Sequence, residues 1–158
     1  MKVPKIWKVC VIGDKSVGKT SLIRRFVYDT FEPETEETLE SKAFKKRYND
    51  ITFMVWDVSV YERNIKPILS GAKAVIIIGD LTRRETYETM IKIAEYLNGH
   101  RAIKVFVANK NDLKYMAEFW KDEMEKLSEE FDAPYFLTSA KTGENVESVF
   151  RYIAEGAV

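Results

Sequence analysis

The sequence predicts an α/β fold in which a mostly parallel sheet is covered by helices on both faces. Apolar runs alternate along the chain with segments of helical periodicity, which is the pattern of strands joined through crossover helices. Two of these runs, 74–80 and 103–109, are apolar without alternation, as strands buried on both faces are. A length of 158 residues without repeats or linkers predicts one domain over 1–158, with its ligand at the carboxyl ends of the strands.

Six predicted strands account for the apolar runs. The first is rich in apolar and β-branched residues. The second and third flank Asn49-Asp50, a pair that suits a tight hairpin turn, and one strand of the sheet is expected to be antiparallel. The expected strands are 5–13, 39–48, 51–57, 74–80, 103–109 and 134–138.

Five predicted helices fill most of the segments between the strands. The first is amphipathic and follows the first strand closely. The fourth carries an apolar and aromatic stripe along one face, which we interpret as core and not as a platform for a ligand. The members of this stripe are Met116, Trp120, Leu127 and Phe131. The expected helices are 18–28, 63–70, 84–98, 114–131 and 145–155.

The segment GDKSVGKTS, residues 13–21, has the spacing of a phosphate-binding loop. Gly13 and Gly18 allow the backbone to turn tightly and to direct its N–H groups inward at the start of a helix. Lys19 places a positive charge against the β- and γ-phosphates of a nucleotide, and the Thr20 hydroxyl is short enough to bind Mg²⁺. The strand before the loop and the helix after it are the context that this motif requires.

Composition argues against several classes of function. The formal net charge is zero, with 25 acidic and 25 basic residues, so charge gives no support for nucleic acid or an anionic membrane as a partner. No apolar run is long enough to span a bilayer, and the N-terminus carries no signal-peptide pattern. Cys10 is the only cysteine and lies in the first predicted strand, which favours a buried thiol and a reducing cytoplasm.

Two later segments indicate which base the nucleotide carries. NKND, residues 109–112, follows the strand at 103–109, and TSAKTG, residues 138–143, follows the last strand. Because they come in this order behind a phosphate loop, the chain resembles the Ras-like small GTPases, and especially their Rab branch, over essentially its whole length. The resemblance implies a P-loop NTPase G domain that binds GTP or GDP together with Mg²⁺.

The resemblance also implies that the site is specific for guanine. The Asp112 carboxylate would accept from the ring N–H and the exocyclic amine of guanine, and adenine would leave that carboxylate unpaired. Asn109 would lie at the N7 edge of the base, and the stem of Lys110 would cover the ring. The Ala140 N–H would donate to guanine O6, with Lys141 packed over the base. These motifs disfavour an ATP-using P-loop kinase or ATPase.

The first switch segment of the family corresponds to FEPETEETLE, residues 31–40. Thr38 stands 18 residues after Thr20, which is the family's spacing, and would bind Mg²⁺ and touch the γ-phosphate. The alternative for Thr38 is an ordinary threonine at the start of a strand. Phe31 would stack on guanine. The five glutamates of this segment form either a solvated loop or a surface that selects basic partners.

The second switch segment departs from the family pattern WDTAGQE and reads WDVSVYE, residues 56–62. Asp57 is retained, where it would hold Mg²⁺ through water. Val60 replaces the glycine whose N–H meets the γ-phosphate, and Tyr61 replaces the glutamine that orients the attacking water. The chain contains no glutamine, so no neighbour restores this chemistry, and losing one such group typically costs about 10²–10³ in rate.

Four basic residues near the expected site need separate interpretation. Lys15 stands at a loop position where Ras proper has glycine, and it either obstructs catalysis or neutralises charge on the γ-phosphate. Arg63 is either a charge that reaches the site or a residue of the helix surface, and we favour the surface. Arg24 and Arg25 are expected on the solvated side of the first helix.

The predicted site residues fall into three groups. The expected catalytic residues are Lys19, Thr38 and Tyr61, the last at the family's glutamine position. The expected metal ligands are Thr20, Thr38 and, through water, Asp57. The expected nucleotide-binding residues are Gly13, Lys15, Ser16, Val17, Gly18, Lys19, Thr20, Ser21, Phe31, Thr38, Val60, Asn109, Lys110, Asp112, Ser139, Ala140 and Lys141.

Two functions are open from the sequence. The first is a Mg²⁺-dependent GTP/GDP switch with slow intrinsic hydrolysis, which meets an effector, an exchange factor and an activating protein that supplies a missing group. The second is a hydrolysis-deficient scaffold that stays loaded with nucleotide. We favour the switch, because the expected metal ligands are all retained. The final residues RYIAEGAV show no prenylation motif or other lipid anchor, which favours a cytoplasmic regulator of prokaryotic or archaeal type unless the chain is truncated.

Overall fold

A six-stranded sheet with strand order β2-β3-β1-β4-β5-β6 organises the chain. The computed structural model describes residues 5–31, 42–59 and 65–156. In chain order the elements are β1 (Lys5–Gly13), α1 (Lys19–Tyr28), β2 (Lys42–Tyr48), β3 (Ile51–Ser59), α2 (Lys66–Leu69), β4 (Ala74–Asp80), α3 (Arg84–Tyr96), β5 (Ile103–Asn109), a 3₁₀-helix (Asn111–Met116), α4 (Lys121–Phe131), β6 (Tyr135–Leu137) and α5 (Val146–Gly156).

The predicted fold class is confirmed. β1 pairs in parallel with β3 and β4, and β5 pairs in parallel with β4 and β6. Among the described strands only β2 runs antiparallel, joined to β3 by the predicted hairpin, in which Asn49 takes a φ of +56°. At the carboxyl end of β1, Gly13 pairs with Ser59 on one side and with Ile78 on the other. The ends of three parallel strands therefore meet where the phosphate loop begins.

Two hydrophobic layers, one on each face of the sheet, bury the apolar runs. On β1, Cys10 enters the layer under α3 and α4, whereas its neighbour Val11 enters the layer under α1 and α5. Every residue of β4 is buried, which explains why its sequence does not alternate. Phe26 of α1 and Phe150 of α5 stack with their ring centroids 3.6 Å apart, so these two helices are packed directly against each other.

The predicted helix at 114–131 is wrong as a single element. The chain forms the 3₁₀-helix, becomes extended at Ala117 (φ −63°, ψ 133°) and begins α4 only at Lys121. The Glu118 N–H donates to the Leu81 carbonyl at 2.8 Å, so it bonds to the β4–α3 loop and not to a helical carbonyl. Backbone pairing across the fold thus interrupts a segment whose local periodicity predicts a continuous helix.

The stripe predicted along this helix is only partly in the core. Leu127 is buried, and Trp120 and Phe131 pack against the same hydrophobic layer, as predicted. Met116 is 55% exposed, because it belongs to the 3₁₀-helix and not to α4.

The other boundaries differ from the predicted ones by a few residues. β3 continues to Ser59, α3 ends at Tyr96, and β6 is a short strand of three residues. Residues 39–41 and 63–64, predicted to begin β2 and α2, lie outside the described residues. No helix in the described part of the chain has the length and apolar character needed to cross a membrane.

Candidate functional site

The two glycines of the phosphate loop are required by close backbone approach. A Cβ at Gly13 would lie 2.3 Å from the Ile78 carbonyl oxygen of the neighbouring strand. Gly18 has a φ of +99°, and a Cβ there would lie 2.3 Å from Asn109 Nδ2. Ser16 also takes a left-handed conformation, with a φ of +58°. A short loop with left-handed turns at a helix start is the backbone form that binds phosphate oxygens.

Lys19 lies buried within this loop. Its Nζ donates to the carbonyl oxygens of Gly13 at 3.3 Å and Asp14 at 2.8 Å. The loop therefore folds around its own lysine, whose ammonium group lies against the carbonyls at the start of the loop. A positive charge in this position can bind phosphate oxygens as a compact point charge.

Thr20 and Asp57 form a polar pair at the ends of two elements. The Thr20 hydroxyl, in the first turn of α1, donates a hydrogen bond to Asp57 Oδ2 near the end of β3. Asp57 is buried, and its neighbour across the sheet on β1 is Val11. A hydroxyl and a carboxylate side by side are the oxygen ligands that Mg²⁺ prefers, so the residues present fit this ion.

Asn109, at the end of β5, joins two loops. Its Nδ2 donates to the Val17 carbonyl at 3.0 Å, and its Oδ1 accepts from the Thr138 hydroxyl at 3.0 Å and from the Ala140 N–H at 3.2 Å. The side chain is buried. The expected role of Asn109 at the edge of the base is therefore accompanied by a structural one, which fixes the phosphate loop to the loop after β6.

Asp112 is oriented by the loop after β6. The Ser139 hydroxyl donates to Asp112 Oδ1 at 2.8 Å. Beside it, Lys110 takes a φ of +70°, and its Nζ lies 2.9 Å from Asp80 Oδ2 and donates to the Ser16 carbonyl at 3.2 Å. A buried carboxylate at the end of β4 thus holds the lysine stem across the phosphate loop.

One cavity of about 460 Å³ lies between the phosphate loop and the loops after β5 and β6. Nine of the ten residues that line it are predicted nucleotide-binding residues, and the tenth is Leu113. Sequence reasoning missed Leu113, although it directly follows the NKND motif. The nine are Ser16, Gly18, Ser21, Phe31, Asn109, Lys110, Asp112, Ala140 and Lys141.

The model of the Ras family matches residues 8–158. The chain belongs to the Ras family. Among curated relatives, mouse and human Ras-related protein Rab-22A are each 32% identical over 153 residues, covering 90% of this chain and 79% of the relative. Rat Ras-related protein Rab-31 is 31% identical over 157 residues, covering 93% of this chain and 80% of the relative. The chain is thus a Rab-like small GTPase by similarity, as the motifs predict.

Some predicted residues of this Ras-family protein do not line the cavity. The Val17 side chain is buried in the hydrophobic layer under α1, and only its carbonyl takes part, through Asn109. Lys15 is exposed, and its carbonyl accepts from Arg83 at 2.9 Å. The sequence motifs gave no sign of this contact between Arg83 and the phosphate loop. Three predicted site residues lie outside the described residues, namely Thr38, Val60 and Tyr61.

Arg25 corrects a further prediction. Instead of lying on the solvated side of α1, its side chain is only 18% exposed. Its Nε donates to the Ala140 carbonyl at 2.8 Å, and an Nη donates to the Lys141 carbonyl at 2.7 Å. No sequence pattern signals this contact, because Arg25 and Ala140 stand 115 residues apart.

Proposed function

We propose that this chain is a Mg²⁺-dependent switch that alternates between GTP- and GDP-bound states and hydrolyses GTP slowly by itself. The observation that carries the proposal is a cavity that has the phosphate loop on one side and the Asp112–Ser139 pair on the other. Ras-family membership supports guanine-nucleotide binding by this cavity. We further propose that residues 1–158 act as one G domain and work in the cytoplasm.

The base end of the cavity supports the choice of guanine. Asp112 would accept from the ring N–H and the amine of the base, and the Ser139 hydroxyl would hold the carboxylate in place while it does so. The Ala140 N–H would turn to guanine O6, and Lys110 and Lys141, which both line the cavity, would cover the ring. A base without the N–H and the amine would leave the carboxylate unpaired, which is a strong basis for rejection.

The phosphate end supports binding of a triphosphate with its metal. Lys19 would exchange the carbonyls of Gly13 and Asp14 for phosphate oxygens. Thr20 would bind Mg²⁺ directly and Asp57 through water, with Thr38 as the proposed further ligand. When bound, the ion would neutralise charge on the phosphates. The order of Thr38 and of the segment after Asp57 would then depend on the γ-phosphate, as a switch requires.

Slow hydrolysis follows from the identities of two residues. Val60 is β-branched where the family has glycine, and Tyr61 has a phenol where the family has the amide that orients water. An activating protein could supply the missing group in trans. The same two residues support the second candidate function, a scaffold that keeps its nucleotide and recruits an effector without turnover.

Single-turnover hydrolysis of bound GTP separates the two functions. Wild type, stripped of copurified nucleotide and shown to reload, would be compared with Val60→Gly/Tyr61→Gln and with Tyr61→Phe as a matched control. We expect slow turnover in wild type, abolished by chelation of Mg²⁺. In the double variant we expect turnover about 10²-fold faster, because one preorganised group contributes roughly that factor.

Each outcome has a distinct meaning. Loss of turnover in Tyr61→Phe would show that the phenol hydroxyl does the work of the amide. No turnover in wild type, with recovery in the double variant, would place the defect at Val60 and Tyr61. It would then favour either the scaffold or a switch that turns over only with an activating partner. Failure of wild type to bind guanine nucleotide at all would overturn both functions.

A further inference from the structure

Arg25 ties the loop after β6 to the helix that begins at the phosphate loop. It lies on α1, near the end of that helix, and its Nε and one Nη donate to the carbonyls of Ala140 and Lys141 at 2.8 and 2.7 Å. Its other Nη bonds to Asp29 Oδ1 at 3.2 Å. All three guanidinium nitrogens are therefore engaged, in a planar arrangement that a lysine cannot reproduce.

The peptide groups that Arg25 holds belong to the cavity wall. Ala140 and Lys141 both line the cavity, and Ala140 is buried. Ala140 is fixed from both sides, because its N–H donates to Asn109 Oδ1 while its carbonyl accepts from Arg25. The bond from Arg25 would remain once the N–H turned to guanine O6. The loop also passes close to the arginine stem, since a Cβ added at Gly143 would lie 3.7 Å from Arg25 Cδ.

The rest of this loop is organised by its own short contacts. The Gly143 N–H donates to the Ser139 carbonyl at 2.7 Å, and the Thr142 N–H donates to the Ser139 hydroxyl at 3.1 Å. These bonds shape the loop but do not attach it to α1. The two hydrogen bonds from Arg25 do make that attachment. Charge-assisted bonds of this kind are about twice as strong as neutral ones.

We infer that Arg25 is a positioning residue that slows release of guanine nucleotide by holding the Ala140–Lys141 backbone against the base. The inference rests on the proposed function of the cavity. It assigns Arg25 no contact with the nucleotide. Arg25 would affect the release rate through the Ala140 N–H, which is the group proposed to donate to guanine O6. The effect of Arg25 therefore depends on the presence of that oxygen.

The test measures the dissociation rate of a fluorescent GDP analogue from the full chain with Mg²⁺. Arg25→Ala is expected to release it about 10- to 100-fold faster than wild type, because two hydrogen bonds from a charged donor are lost. Arg25→Lys keeps the charge but reaches only one carbonyl, and should fall between the two. Arg24→Ala is the matched control, since Arg24 is the adjacent arginine of the same helix, and should leave the rate unchanged.

Two modified bases separate positioning from a general loss of structure. Inosine diphosphate keeps O6 and lacks the amine, so Arg25→Ala should accelerate its release as much as that of GDP. 6-Thioguanosine diphosphate carries a weak sulfur acceptor in place of O6, so the same substitution should change its release less than about threefold. These rates can be obtained by competition, with thermal unfolding of each variant measured alongside.

Equal acceleration for GDP and the 6-thio base would overturn the inference, and so would an effect of Arg24→Ala as large as that of Arg25→Ala. If Arg25→Ala does not fold, Arg25→Lys carries the same comparison, and an unchanged rate in that variant would overturn the inference. If wild type binds none of these diphosphates, the proposed function itself is refuted. If wild type binds them tightly and Arg25→Ala does not change the release rate, only the inference about Arg25 is refuted.

Discussion

The base end and the phosphate end of the cavity are built in different ways. At the phosphate end, Lys19 bonds to carbonyls only five and six residues away along the chain. At the base end, Asn109 reaches the Val17 carbonyl across 92 residues and Arg25 reaches Ala140 across 115. The contacts of Lys19 are thus local, whereas those of Asn109 and Arg25 join distant loops.

This difference explains why the loop that holds Lys19 is contained in one short motif, whereas the base end combines two motifs that the sheet brings together. A phosphate loop needs its glycines and its lysine within a few residues, because the backbone itself forms the binding surface. The base end needs loops brought together by β5, β6 and α1, so changes outside the motifs can reach it. Substitutions at the two ends should therefore differ in both size and character.

The largest effect is expected from Asp112→Asn at the base end. An asparagine amide would donate to the C2 oxygen of xanthine, whereas guanine presents an amine there, so preference should turn from GDP to XDP. The shift in the affinity ratio is expected to be on the order of 10⁴-fold, because a site built to pair a polar group rejects a base that leaves it unpaired. Competition binding of GDP and XDP measures this ratio.

Asp132→Asn is the control for this change. Asp132 is exposed at the end of α4 with a φ of +50°, a conformation that asparagine tolerates. Its substitution should leave the ratio unaltered. If Asp112→Asn still prefers GDP, Asp112 does not recognise the base, and the proposed division of the cavity into a base end and a phosphate end is contradicted.

A smaller effect is expected from Thr20→Val at the phosphate end. The change removes the hydroxyl that bonds to Asp57 and is proposed to bind Mg²⁺, while side-chain volume is nearly kept. GDP affinity in Mg²⁺ should fall about 10- to 100-fold, by analogy with the loss of groups that support a metal site. In chelator the variant and wild type should bind equally well.

Thr52→Val, on the same strand as Asp57, controls for loss of a threonine hydroxyl from this part of the sheet. A loss of affinity that is the same in Mg²⁺ and in chelator would assign the Thr20 hydroxyl a structural role instead of a metal-binding one.

An effect on stability, and not on nucleotide binding, is expected at β1, which carries the phosphate loop. Burial raises the pKa of the Cys10 thiol to about 11 from an ordinary value of 9.0, although nearby Lys8 acts in the opposite direction. The unfolded chain therefore loses this proton first, so the free energy of unfolding should fall as pH rises from about 9 to about 11, and not below that range. The expected contribution is at most about 2–3 kcal/mol.

Urea unfolding between pH 8 and 11 checks this expectation. Other groups titrate in the same range, so the informative quantity is the difference between wild type and Cys10→Ala, in which the added slope should disappear. Parallel curves for the two proteins would show that the thiol ionises as readily in the folded chain as in the unfolded one.

Much of the fold could be predicted because its elements are locally consistent. β1, β4 and β5 have the predicted bounds, since each is a largely apolar run rich in β-branched residues. The helix predicted at 114–131 failed for the opposite reason. Glu118 bonds to the distant Leu81 carbonyl, and this tertiary contact overrides a periodicity that favours helix.

The sequence by itself determined the α/β class, the phosphate loop and the two motifs that are proposed to form the base end, because each depends on residue types at short spacing. Only the tertiary structure decided how these motifs are held together. The bridging role of Asn109, the ion pair of Lys110 with Asp80, and the position of Arg25 under the Ala140–Lys141 backbone all join residues far apart in the chain. Such contacts leave no local pattern, because they exist only after the sheet has brought the loops to one edge.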